Sequence, residues 1–220
     1  MPDLQTLFIW IIPVLFAITL HEAAHGWIAS KFGDHTARMM GRVTLNPVKH
    51  IDPVGTILVP AALLIMSTGF IFGWAKPVPI NFNALRSPKS GMIWVALAGP
   101  GANLIMAIGW LFVVFLAINM NIPILLKMAG AGIFINILLA VFNLLPIPPL
   151  DVSRVNSALL PNPLAYRYNQ LEQYGFVILI GLMFIGGFTY IVWPIVGLVL
   201  NWMSILSGLN LIGLINFIFS

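Results

Sequence analysis

The sequence predicts an all-α polytopic membrane protein, and three observations carry that prediction. Hydrophobic residues make up 60% of the 220 and charged residues only 7%, with a mean hydropathy of +1.01. Soluble domains average about 25% charged residues, so this chain lacks the polar surface that water demands. Six apolar stretches, at 7–30, 54–73, 91–118, 125–144, 174–192 and 195–218, approach the roughly 20 residues a helix needs to cross the hydrocarbon core. The polar segments between them are too short to fold alone. Residues 1–220 therefore read as a single integral membrane domain of about six helices, with 174–218 forming its C-terminal pair.

The elements follow in order. "MPDLQTLFIW" has no basic n-region and no small-residue cleavage site, so the first apolar run is expected to stay in the mature protein. The segment 31–52 alternates loosely and contains Gly and Asn-Pro, which admits a short β-hairpin. Asp52-Pro53 suits a helix start, with Asp as N-cap and Pro at the first helical position. Pro60 and the tail "MSTGF" let 54–73 turn back as a re-entrant segment instead of crossing. A Pro-rich loop at 74–90, the short link "NMNIP" and the stretch 145–173 complete the connections.

Composition also excludes. The absence of cysteine rules out disulfides, thiolate metal sites and cysteine nucleophiles. Ten Lys and Arg are scattered among loops with no basic run to grip nucleic acid. If every apolar stretch crosses, Lys31, Arg38, Arg42, Lys49 and Lys127 face Lys76, Arg86, Lys89, Arg154 and Arg167 across the bilayer. That is a tie, and orientation cannot be read from it.

The first apolar helix contains "HEAAH". His21 and His25, four residues apart, stand one turn apart on one helix face and can bind a single zinc. Glu22, about 100° round the helix, flanks them where it can reach a water on that metal. Three ionisable groups in a membrane helix cost about 2.5–3.5 kcal/mol each when charged at mid-bilayer, which favours a functional role over simple packing. A catalytic zinc also needs a third protein ligand. Asp34 reads as part of a solvated turn, Asp52 as a cap, and His35 and His50 as loop residues. Asp3 lies at the terminus. Asp151 ends "FNLLPIPPLD", where three prolines forbid regular helix directly after an apolar span. Irregular backbone at membrane depth is tolerated where it is buried or lines a watery cavity. Two roles therefore fit Asp151, a metal ligand or a turn and helix cap.

These residues resemble the site-2 protease family, the intramembrane zinc metalloproteases. The chain carries H-E-x-x-H as "HEAAH", G-P-x-x-N as Gly99, Pro100 and Asn103, and N-x-x-P-x-x-x-L-D as Asn143, Pro146, Leu150 and Asp151. "LNPVKHIDPVGT" and "GWAKPVPIN" resemble a compact bacterial branch without appended domains, and the likeness covers about 7–155. It implies one zinc per chain held by His21, His25 and Asp151, with Glu22 as catalytic base. It further implies an integral protein of the bacterial cytoplasmic membrane that cleaves transmembrane proteins. Asn143 suits an oxyanion or substrate-positioning donor, or else an amide pinning the broken helix. Asn103 reads as a structural tie from the third apolar helix to the first. The family's usual glycine after the ligand aspartate is Val152 here, which implies a different local backbone or an impaired enzyme. A zinc or proton-coupled transporter and an inactive scaffold use the same residues differently.

One expectation conflicts with the rest. If 54–73 crosses, the helices bearing His25 and preceding Asp151 end on opposite sides of a core about 30 Å thick.

Overall fold

The computed structural model describes residues 4–66 and 73–219. Asp3 and the stretch 67–72, on which part of the expected 54–73 span falls, lie outside the described residues. All regular structure among the described residues is helical, so the hairpin expected in 31–52 is not formed. In its place stand a short helix, α2 (Thr36–Met39), and a 3-10 turn over Pro47–His50. The cause is local. Gly41 takes a left-handed backbone (φ 64) that ends α2, and Asn46 caps the 3-10 turn by accepting from the Val48 N–H.

Three long helices form the centre. Helix α1 (Leu4–Lys31) packs against α4 (Pro88–Asn119) and α5 (Pro123–Asn143). A methyl group on Gly132 of α5 would collide with the Trp110 indole of α4, so this glycine sets how closely the two helices approach.

The conflict over topology is resolved by where the 32–87 excursion ends. The Arg86 N–H donates to Phe32 O at 2.9 Å, which returns the chain to the C-terminal end of α1. Within the excursion, Asp52 caps a π-helical turn (Pro53–Leu58), accepting from the Val54 and Gly55 N–H groups, and α3 (Val59–Ile65) continues it. Those 13 residues span only about 20 Å at 1.5 Å per residue. Trp74 N then donates to Gly55 O at 3.1 Å, and Thr56 Oγ1 donates to Trp74 O at 2.8 Å. The described ends of this stretch, Gly55–Thr56 and Trp74, thus lie together, so it begins and ends on one side.

Helix α5 therefore ends on the same side as α1, and the chain turns through the proline segment into α6 (Asp151–Leu159), which packs on α4. Then α7 (Asn162–Gln170) and a 3-10 turn lead to α8 (Gly175–Phe184). The last two expected spans are also redrawn. Gly186 (φ 76) ends α8, and a continuous π and α segment, including α9 (Trp193–Ser207), runs from 188 to 207. Gly208 (φ 69) breaks it before α10 (Leu211–Phe219). Among the described residues four helices are long and apolar enough to cross a membrane: Gln5–Lys31, Pro88–Asn119, Pro123–Asn143 and Thr189–Ser207. The expected count of about six is not confirmed.

Candidate metal centre

His21 and His25 lie on the face of α1 that meets α4, and both are buried. Their Nε2 atoms are 3.1 Å apart. The Asp151 carboxylate meets them, with Oδ2 at 3.1 Å from His21 Nε2 and Oδ1 at 3.3 Å from His25 Nε2. One potential ligand atom from each residue falls within 4.8 Å of the other two.

The other nitrogen of each ring fixes its tautomer. His25 Nδ1 donates to the Val95 carbonyl at 2.7 Å, and His21 Nδ1 donates to Asn103 Oδ1. With the protons on Nδ1, neutral rings turn both Nε2 lone pairs towards each other and towards a carboxylate. Asp151 Oδ2 is buried and accepts no hydrogen bond, although an imidazole nitrogen is in reach. Three such lone-pair donors facing one another are relieved by a cation among them, either a metal or a proton on one Nε2. Two imidazoles and a carboxylate are a donor set that suits zinc, so these residues fit a metal.

The helix approach that permits this depends on Gly99. A Cβ there would fall on both the His21 and His25 rings, so any larger residue would push α4 off the site. Pro100 follows, and its missing N–H leaves the Ala96 carbonyl without its helical donor, one residue beyond the Val95 carbonyl that holds His25. Asn103, wholly buried, bonds His21 and reaches the Ala17 carbonyl at 3.4 Å. It does tie α4 to α1, and it also orients a histidine. Asp151 opens α6, where the N-terminal end of a helix favours a carboxylate. Val152 is the second residue of that helix and has no positive φ, so the valine causes no strain there.

Glu22 does not join the cluster. It lines a cavity of about 220 Å³ beside it, together with His25, Asp151 and Arg154. The cavity wall is the Pro-rich loop, where Val78 N–H donates to Glu22 Oε2 at 2.8 Å. Arg42 holds that loop from behind, donating to the Lys76 and Pro77 carbonyls at 2.8 and 3.3 Å. His50 is buried, bonded through Nε2 to Thr44 O, and its own carbonyl accepts from Lys76 N–H. Asp34 is also buried, contrary to the solvated turn expected. It accepts from Thr36 N and Oγ1 and from Asn81 N–H at the far end of the loop.

One expected feature lies elsewhere. Asn143 turns its amide back onto its own helix, donating to Leu139 O at 3.0 Å, and does not line the cavity. Within the Pro-rich loop, Lys76, Val78 and Asn81 direct their N–H groups inward, and Pro77 and Pro79 have none. Ile80 is left as the remaining donor of 76–81. Sequence reasoning missed Asn136, Arg42 and the Val78 N–H. Each acts on a partner distant in the chain, and no local spacing reveals it.

The chain is similar in sequence to known proteins. The chain is 37% identical over 191 residues to "Putative zinc metalloprotease YwhC" of Bacillus subtilis, covering 84% of each chain. It is 31% identical over 172 residues to "Putative zinc metalloprotease Rip2" of Mycolicibacterium smegmatis, covering 77% of this chain and 64% of that one. To the protein of the same name from Mycobacterium tuberculosis it is 30% identical over 137 residues, 62% of this chain and 51% of the other. No family model and no solved structure matches the chain.

Proposed function

Since this chain belongs to the site-2 protease-like family of zinc metalloproteases, we propose that it hydrolyses peptide bonds of transmembrane proteins at a site inside the bilayer. The observation that carries this reading is the convergence of His21, His25 and Asp151 beside a cavity walled by Glu22. His21, His25 and Asp151 would hold one zinc, which would supply Lewis acidity to polarise the scissile carbonyl and activate water near neutral pH. Glu22 is the general base. Val78 N–H fixes one of its oxygens, leaving the other to take a proton from water and deliver it to the leaving amine.

Depth supports a membrane substrate. His25 lies six residues before the end of α1 and His21 ten, about 9 and 15 Å along the axis. At that depth a substrate helix must unwind before its carbonyl can be attacked, since its backbone groups are engaged with one another. The apolar helices support an integral membrane location, which we assign to the bacterial cytoplasmic membrane.

Purified protein, loaded with zinc and given a single-pass transmembrane peptide, tests the reading. We expect about one zinc per chain, cleavage of the peptide, and loss of cleavage with retention of zinc in Glu22→Gln. Zinc flux into liposomes without cleavage would replace this reading with a transporter. Bound zinc with neither activity would replace it with a scaffold.

A further inference from the structure

We propose that Asn136, buried in the middle of α5 and outside every motif noted above, is a positioning residue for the metal centre. It acts through Asn103 on His21, and the inference rests on the metal-site reading just given. Asn136 is fully buried, and its two amide atoms are both used. Nδ2 donates to the Gly132 carbonyl at 2.8 Å, and Oδ1 accepts from Asn103 Nδ2 at 2.9 Å.

The direction of this chain of bonds has a fixed anchor. A backbone carbonyl can only accept, so Gly132 O forces the NH₂ of Asn136 towards itself and its oxygen towards Asn103. Asn103 must then present its NH₂ to Asn136, which leaves its oxygen to face His21. An oxygen there requires the proton on His21 Nδ1 and the lone pair on Nε2, the atom turned towards Asp151. Were the Asn103 amide flipped, its NH₂ would favour a lone pair on Nδ1 and move the proton onto Nε2, where it blocks a metal. Among the described residues, the other group setting the Asn103 amide is Ala17 O, at a long 3.4 Å. Asn136 thus converts a carbonyl of α5 into the correct tautomer of a ligand on α1.

The test is zinc affinity, measured by chelator competition on the purified full-length protein, with melting temperature recorded for each variant. Asn136→Leu is expected to weaken zinc binding roughly 10- to 100-fold, the usual effect of losing a partner of a metal ligand. Asn136→Asp, protonated at this buried position, still donates to Gly132 and accepts from Asn103, and is expected to stay within about threefold of wild type. Because Asn136 acts through Asn103, the Asn103→Leu/Asn136→Leu pair is expected to lose no more than Asn103→Leu alone. Ile137→Ala, at the next and equally buried position, is the control for simple destabilisation. Wild-type affinity in a folded Asn136→Leu, or an equal loss in Ile137→Ala, overturns the proposal. If Asn136→Leu does not fold, Asn136→Ala carries the same prediction. Unchanged zinc binding in His25→Ala overturns the metal site itself, so the two failures are told apart.

Discussion

The Val78 N–H donates to Glu22 Oε2 at 2.8 Å, across 56 residues of sequence. This bond joins a wall of the cavity to its expected base, and Arg42 stands behind it. The Arg42 guanidinium is buried and bonds two successive carbonyls just before Val78. Hydrogen bonds from a charged donor contribute about 1.5–3 kcal/mol. If half or more of that is felt at Glu22, Arg42→Leu lowers kcat about tenfold, at 1.4 kcal/mol per factor of ten. Zinc content should be unchanged, because Arg42 touches no residue of the metal cluster. Loss of zinc in Arg42→Leu, with the protein still folded, would refute this division of labour.

Gly99 and Gly101 provide a matched pair. Alanine in an exposed helix interior is favoured over glycine by roughly 1 kcal/mol. At Gly101 a Cβ meets nothing within 4 Å, so Gly101→Ala should be neutral or mildly stabilising. At Gly99 the same methyl group falls on both metal-site imidazoles. Gly99→Ala should therefore weaken zinc binding by at least 100-fold, about 2.7 kcal/mol at the site. Isothermal titration of the two variants side by side checks the contrast, and equal affinities would show that α4 can move aside.

Asp34 sets a pH dependence outside the membrane helices. Burial alone would push its carboxyl up, but bonds from Thr36 Oγ1, Thr36 N and Asn81 N outweigh burial and hold it below its ordinary value. A carboxyl whose folded value is depressed contributes stability that is fully present above its unfolded value, near 3.9. That contribution is lost as pH falls through the folded value. Asp34→Asn should accordingly melt at a lower temperature than wild type at pH 7, with the gap closing as pH is taken below about 4. A gap independent of pH would mean that the charge on Asp34 contributes nothing.

How much of this was legible in sequence depends on the range of each signal. His21 and His25 are spaced by one helix turn with Glu22 beside them, and such periodicity is visible in any single sequence. Asp151 was narrowed by elimination and by its proline-broken setting, since nothing local ties it to residues 126 positions earlier. Asn136 gave no signal, because a lone amide in "GIFINILL" matches no pattern and its partner sits on another helix. The C-terminal spans were misdrawn because continuous apolar sequence has no amphipathic edge. Only Gly186 and Gly208, with left-handed backbones, marked the true breaks. The 54–73 excursion was ambiguous for a further reason, since its fate is decided by the Gly55–Trp74 and Phe32–Arg86 contacts.

That excursion changes the charge balance of the whole protein. Because 32–87 begins and ends at one end of α1, Lys31, Arg38, Arg42, Lys49, Lys76, Arg86 and Lys89 share a side. Arg154 joins them, its guanidinium 5.3 Å from the Phe82 ring, and Arg167 follows on α7, which is bound to the same side through Tyr168 Oη and Pro146 O. Of the ten Lys and Arg only Lys127, near the start of α5, lies at the other end. The tie expected from six crossings becomes nine against one. Loops rich in Lys and Arg stay in the cytoplasm, so the end of α1 nearest the metal centre is predicted to face it. The absence of cysteine makes the test clean. In intact spheroplasts a membrane-impermeant maleimide should label Met120→Cys, exposed at the α4–α5 turn, and spare Arg38→Cys until the membrane is broken. Labelling in the reverse order would place the metal centre near the outer face.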